Sequence, residues 1–413
     1  MVKSLTCYFV LLLLCIGNLD AKQIHVGKNQ AIKTIKAALV ASGPRDTIMI
    51  HSGMYHEGNI EITQPLTIIG IDLPIIDGDR KFEVISIKSD SVTIKGLRVQ
   101  HSGYATLDDP GGIKIYNGSH ILIEENELFD NFFGIYILFG KKCHIKNNRI
   151  VAFGKTEDRI GNGIHAWKSD SLIIEGNDIS GCRDGIYFEF VTHSLVWRNI
   201  SYSNLRYGLH FMFSNNDSYI TNIFKNNGAG VAVMFTKGVK MFNNTFIENW
   251  GDAAYGLLLK EISDSYIFNN KFIRNTSGIY MEGTNRITVE KNVFESNGWA
   301  MRIQASCMDN DVKLNNFIGN TFDIGTNGTL VLNNFDGNFW DKYEGYDLTR
   351  DGFGDVPYHP LSLFSVIVEQ NPPAMLLYRS TMVSLLDKSE KVLPSLTPEN
   401  FIDNKPRMRA LPL

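Results

Sequence analysis

A short line, Gly-Ile-x-Φ with Φ apolar, recurs through the middle of this chain and constrains its fold more than any other feature. It reads Gly112-Ile-Lys-Ile, Gly134-Ile-Tyr-Ile, Gly163-Ile-His-Ala, Gly185-Ile-Tyr-Phe, Gly208-Leu-His-Phe, Gly230-Val-Ala-Val, Gly256-Leu-Leu-Leu and Gly278-Ile-Tyr-Met, with Ala300-Met-Arg-Ile as a copy lacking the glycine. Most copies fall 22 or 23 residues apart. A fixed period of that length marks a solenoid, in which one coil cannot bury its apolar face alone and must stack on its neighbours.

Within each copy the apolar residues alternate, as Ile135 with Ile137 and Ile186 with Phe188, which is the pattern of a strand with one buried face. A second strand follows, ending in asparagine with an apolar residue three places earlier: Ile123 and Asn126, Ile145 and Asn148, Ile174 and Asn177, Met241 and Asn244. Two residues later comes a third apolar position, filled by Leu128, Ile150, Ile179, Phe224, Phe246, Phe272 and Phe294. A further asparagine often occupies the next corner, at Asn131, Asn204, Asn227, Asn249, Asn275 and Asn297. Asparagine tolerates left-handed corners, and stacked amides can bond from coil to coil. The expected fold is all-β: a right-handed parallel β-helix of about 22-residue coils, with the usual handedness of parallel crossovers. Insertions near Gly154 to Asn162 and Gly251 to Tyr255 predict protruding loops, and the pairing of the coils holding Asn199 and Asn222 is the hardest to fix.

If the apolar residues of the line point inward, the two intervening positions form outward columns. The first reads Lys114, Tyr136, His165, Tyr187, His210, Ala232, Leu258, Tyr280 and Arg302; the second reads Tyr116, Leu138, Trp167, Glu189, Met212, Met234, Lys260, Glu282 and Gln304. So much Tyr, Trp, His and Met is not an ordinary solvated surface. Thioether sulfur and imidazole nitrogen suit Cu(I), which makes His165, His210, Met212 and Met234 candidate ligands. The plain alternative packs the methionines under a loop and leaves the histidines to local hydrogen bonds. A carbohydrate groove is another reading, with Arg183, Tyr187, Glu189 and His210 as its acid, base and cation, although no compact carboxylate cluster is present. A purely structural binding solenoid is a third.

The ends of the chain read differently. Residues 1–21 look like an export signal: Lys3, an apolar run through Leu14 and Ile16, and Ala21 at a cleavage position. Residues 22–336 then hold the β-helix with its cap, where Ala31 to Ala41 predicts a short helix over the open end. Residues 337–413 form a non-repeat extension. Its aromatic, acidic stretch partly imitates a calcium loop at Asp347-x-Thr349-x-Asp351-Gly352, but a threonine and Tyr358 stand where ligands belong, so it reads as a closing cap. Ala374 to Lys388 predicts a helix with Met375, Leu376, Met382, Leu385 and Leu386 as its apolar, partner-facing positions, and Leu393 to Leu413 predicts an extended tail that needs a partner to be ordered. Cys143, Cys182 and Cys307 match no zinc spacing and read as small buried residues at the first two positions. A net charge of -4 gives no basic excess and argues against nucleic acid.

The segment Gly337-Asn-Phe-Trp-Asp-Lys-Tyr-Glu-Gly-Tyr-Asp, followed by Asp351-Gly-Phe-Gly-Asp-Val-Pro-Tyr358, resembles the NosD family, as do the coils and the opening that ends Ser52-Gly-Met-Tyr-His-Glu57. That resemblance covers essentially the whole chain. It implies a non-catalytic periplasmic assembly factor for the copper centre of nitrous oxide reductase, working with an ABC transporter permease and its ATPase and with a copper chaperone. Membrane association would then run only through the permease, and Cu(I) would be a transient cargo. The family pattern supplies no ligand set, so the copper candidates stay those drawn from the columns.

Overall fold

The computed structural model describes residues 21–413 except 105–108, 155, 157–158, 252–253, 329–331 and 393–400. The expected export signal lies almost wholly outside these residues. Among the described residues, three parallel sheets of 14, 12 and 13 strands run the length of the molecule, each coil giving one strand to each sheet. The first sheet runs from Gln23–Val26 to Leu332–Asp336, the second from Ile60–Ile62 to Phe322–Gly325 and the third from Met54–Tyr55 to Phe339–Trp340. The chain is a parallel β-helix, as the period demands. The Gly-Ile-x-Φ line forms the second sheet, with Ile135 on Ile164, Ile186 on Leu209 and Leu257 on Ile279.

The asparagines hold the coils in register. From Asn126 through Asn148, Asn177, Asn199, Asn222, Asn244, Asn270, Asn292 and Asn315 to Asn338, each side-chain amide donates to the next Oδ1 at 2.9–3.0 Å. Asn199 and Asn222 sit on this ladder without interruption, which settles the coils that the spacing left open. A second ladder passes through Asn204, Asn227, Asn249, Asn275, Asn297 and Asn320. Buried Cys182 takes the corner before it and donates its N–H to Asn204 Oδ1 at 3.0 Å. Inside, Phe224, Phe246, Phe272, Phe294, Phe317 and Trp340 stack in a file with ring centroids 4.0–5.5 Å apart.

At the N-terminal end the cap helix α1, Ile35–Ala41, begins later than its apolar spacing suggested, because the Thr34 hydroxyl accepts from Ala37 N–H and stops the helix there. The Glu57 carboxylate takes the two free N–H groups of Ile35 and Lys36. Ile35 and Ala38 are thereby laid on the first coils.

The C-terminal end corrects two expectations. A further helix, α2, Leu363–Gln370, precedes the one predicted over Ala374 to Lys388, which is itself two pieces, a 3-10 turn, Pro372–Leu377, and α3, Thr381–Val392. Tyr378 with ψ 134 and Arg379 with φ 65 leave the helical region and divide the last two. Ser362 caps α2, a signal present in the sequence but unread. The tail needs no foreign partner over residues 401–413: Phe401 and Asp403 are buried, and Asp403 Oδ2 accepts from Asn338 Nδ2 and Trp340 Nε1, both at 3.1 Å. A side chain 65 residues downstream thus terminates the asparagine ladder. The calcium-like carboxylates serve the turn itself, Asp347 accepting from Asp351 and Gly352 N–H.

Candidate functional site

Strand pairing places the two outward columns as the alternation requires, with Tyr136, His165, Tyr187, His210 and Ala232 on successive rungs and Trp167, Glu189, Met212, Met234 and Lys260 beside them. Their exposure departs from expectation. The first column points away from the core yet is buried at Tyr136, His165, His210 and Ala232. An aromatic residue before three of the glycines, Gly134, Gly208 and Gly256, supplies cover, since it too faces outward: Phe133 packs on Tyr136 and His165, Tyr207 on His210, and Tyr255 on Tyr280. The periodic spacing located the column, but not the rings that fold over it.

The buried column divides at Tyr187, whose ring lies 4.8 Å from both His165 and His210. His165 stands alone in an aromatic box, with Asn162 Nδ2 3.1 Å from its Nδ1 and no partner for Nε2. Burial, then the nearby Arg183 charge, pushes its pKa down to about 3, so the ring is neutral. His210, on the far side of Tyr187, has no hydrogen-bond partner at either ring nitrogen. Its Nδ1 lies 3.5 Å from Oδ2 of Asp184, a carboxylate that is itself wholly buried and only loosely held by Arg206 Nε at 3.5 Å and Tyr207 N–H at 3.4 Å. Arg183 Nε is also unpartnered. Buried polar groups are nearly always paired, so this concentration of unpaired ones needs an explanation.

The second column is half-buried and borders it. Met212 and Met234 are direct neighbours across two rungs, and the Tyr187 hydroxyl donates to Met212 sulfur at 3.5 Å. Burial, followed by Glu189, raises the Tyr187 pKa, so that proton stays on the phenol. Of the four candidate ligands the strand register therefore puts His210, Met212 and Met234 on one strand and its neighbour, and holds His165 two rungs from His210. Past Met234 the column becomes ionic, with Lys260 and Glu282 paired at 3.3 Å, and Arg302 of the first column is clamped by Glu369 of α2 at 3.0 and 2.7 Å. For a carbohydrate groove, Arg183, Tyr187, Glu189 and His210 do lie near one another, but His210 is only 4 % exposed and lies under Tyr207, out of reach of a polymer.

One feature of this face went unread in the sequence. The residues after the second-column positions from Tyr116 to Glu282 are Asn117, Phe139, Lys168, Phe190, Phe213, Phe235, Glu261 and Gly283, all left-handed, with φ between 46 and 61. Bulky residues rarely accept that conformation. Phe190, Phe213 and Phe235 nevertheless do so while exposed, stacked face to face at 5.2 and 5.1 Å. Their faces are used on one another, so their rims line the solvent edge beside Met212 and Met234. The signal was visible as phenylalanine where this corner elsewhere uses asparagine, lysine, glutamate or glycine.

The predicted partner-facing residues are mostly open: Leu376 is 91 % exposed, Met382 and Leu385 are exposed, Met375 less so, and Leu386 is half-buried while Val383 faces inward. The cysteines are buried free thiols, with burial raising Cys143 to about 11 and Cys182 to about 12. Neither offers a thiolate at neutral pH.

Comparison with known proteins matches residues 151–345 to a family described as periplasmic copper-binding protein (NosD). A curated relative from Pseudomonas aeruginosa, a probable ABC transporter binding protein NosD, is 27 % identical over 86 % of this chain and 86 % of its own. One of the same description from Stutzerimonas stutzeri is 24 % identical over 86 % of this chain and 85 % of its own. Among solved structures, the surface adhesin PfbA of Streptococcus pneumoniae aligns with 74 % of this chain and 85 % of its own at a TM-score of 0.53 and 13 % identity, a likeness of fold alone.

Proposed function

We propose that this chain, which matches the NosD family model over residues 151–345, is a non-catalytic periplasmic accessory protein that receives Cu(I) on its second-sheet face and passes it on during assembly of a copper centre. The observation that carries this reading is His210, a buried imidazole with two unpartnered nitrogens, two residues from Met212, which pairs with Met234 on the next strand. These residues fit the ion: imidazole and thioether are soft to borderline donors of the kind Cu(I) prefers. Asp184 Oδ2 stands 3.5 Å from His210 Nδ1, and closing to hydrogen-bond distance would make it the carboxylate that fixes a ligating histidine's tautomer. Half-burial shields the sulfurs while leaving an exit, and ligand exchange with an incoming partner's donors moves the ion without redox chemistry.

The partner surfaces follow from the same face. The rims of Phe190, Phe213 and Phe235 would seat a copper chaperone or nitrous oxide reductase against the methionine pair. The open side of Met375, Leu376, Met382 and Leu385 would dock on the permease of an ABC transporter working with its ATPase, in keeping with the names of the relatives. No described helix is long and apolar enough to cross a membrane, so in this reading the permease supplies the membrane attachment.

Anaerobic competition of the purified protein with a chromophoric Cu(I) chelator tests the site. Stoichiometric binding is expected, abolished in the combined His210→Ala, Met212→Ala, Met234→Ala variant and weakened about 10–100-fold by Asp184→Asn. Binding that survives the triple variant, or no binding at all, refutes the site.

A further inference from the structure

The second cluster of metal-competent side chains lies far along the chain from the columns, at the corner that follows the third sheet near the N-terminal end. His56 follows the strand Met54–Tyr55, Asp77 ends the next strand of that sheet, Ile75–Asp77, and His101 follows the one after, Arg98–Gln100. Coil stacking therefore brings together residues that are widely spaced in sequence. Among the described residues, His56, Asp77 and Asp79 are the one set of three whose possible ligand atoms all lie within 4.8 Å of one another.

The set is built from the inside outward. Asp77 is 6 % exposed, and its carboxylate is aimed by Gln100 Nε2 at 2.7 Å, Asp79 N–H at 2.9 Å and His101 Nδ1 at 3.0 Å. Asp79 and His56 form the outer half, 2.7 Å apart at Oδ1 and Nδ1, with side chains 40 and 48 % exposed. The neighbouring Arg80 is engaged by Asp130 and Tyr104. As it stands the corner is two histidine–aspartate pairs. Two carboxylates and two imidazoles on successive rungs are also a coordination set, with its outer members free to turn toward an ion and its inner member fixed by hydrogen bonds.

We propose that this corner is a divalent transition-metal site, with His56, Asp77 and Asp79 as ligands and His101 as the orienting partner of Asp77. Ligand atoms around such an ion sit about 2.0–2.2 Å from it, so Asp79 and His56 must close on Asp77 by a rotamer change that their exposure permits. Imidazole and carboxylate donors suit Zn(II) and Cu(II), whereas the thioether column suits Cu(I), so the two sites sort metal by oxidation state and hardness. Two carboxylates offset the charge of a dication. The corner lies outside the segment matched by the family and does not depend on the copper-handling reading.

Titration of the metal-free protein with Co(II), read by its visible ligand-field bands, and with Zn(II) against a chromophoric chelator tests the proposal. Stoichiometric uptake is expected, at least 10-fold weaker in His56→Ala and in Asp79→Ala, and unchanged in the Met212→Ala, Met234→Ala variant. The two outer residues are exposed, so these variants should unfold at the wild-type midpoint and carry the test without Asp77. Equal uptake by wild type and His56→Ala, or no uptake by either, overturns it.

Discussion

Two columns of polar side chains run along this solenoid and treat their polar atoms in opposite ways. In the asparagine ladder every amide is used: Asn244 donates through Nδ2 to Asn270 Oδ1 and Tyr219 O, and its Oδ1 accepts from both nitrogens of Asn222. At the second-sheet column His210, His165 and the neighbouring Asp184 are also buried, yet leave ring nitrogens and a carboxylate oxygen unpartnered. Burial is common to both, so what separates a structural polar group from a candidate working one is satisfaction.

The sharpest way to test that contrast is to remove one rung. Asn244→Ala strips donors and acceptors from both neighbours and should cost about 2–4 kcal/mol, seen as a clear fall in the denaturation midpoint. A loss no greater than that of an exposed substitution would erase the distinction. An intermediate effect is expected for His165 and depends on pH. Its folded pKa, about 3, lies below the ordinary value of 6.5, so its contribution is fully present above pH 6.5 and is lost as pH falls toward 3. The slope approaches about 1 kcal/mol per pH unit in that window and should flatten in His165→Gln, measured as unfolding midpoint against pH. The smallest effect on stability is expected at the open residues: Phe213→Ser and Leu385→Ser should stay within about 0.5 kcal/mol of wild type, while weakening capture of the proposed copper partner and the proposed permease respectively. A large loss of stability at Phe213 would make its stack structural.

Periodicity exposed the repeating parts of the molecule because each coil meets nearly the same environment. Gly278-Ile-Tyr-Met-Glu282 announces its inward and outward residues through alternation, and strand pairing places Tyr280 and Glu282 where alternation put them. Parts that occur once were hidden. The fold of the tail onto Trp340 depends on a contact 63 residues away, and the break at Tyr378 depends on backbone angles that no repeat advertises. The cluster of His56, Asp77 and Asp79 was unreadable for a related reason: those residues fall outside the regular copies, and only stacking brings them together.

From the sequence alone came the coil, its three buried faces, the asparagine corners and the columns holding His210, Met212 and Met234, since a solenoid turns local spacing directly into neighbourhood. Only the tertiary structure decided which column is covered, that Tyr187 separates the two histidines, that Asp184 stands behind one of them, and how the tail closes the C-terminal end. The physical reason is that alternation fixes which side of a strand a residue faces, whereas burial on the outer side depends on rings and carboxylates carried in from other rungs.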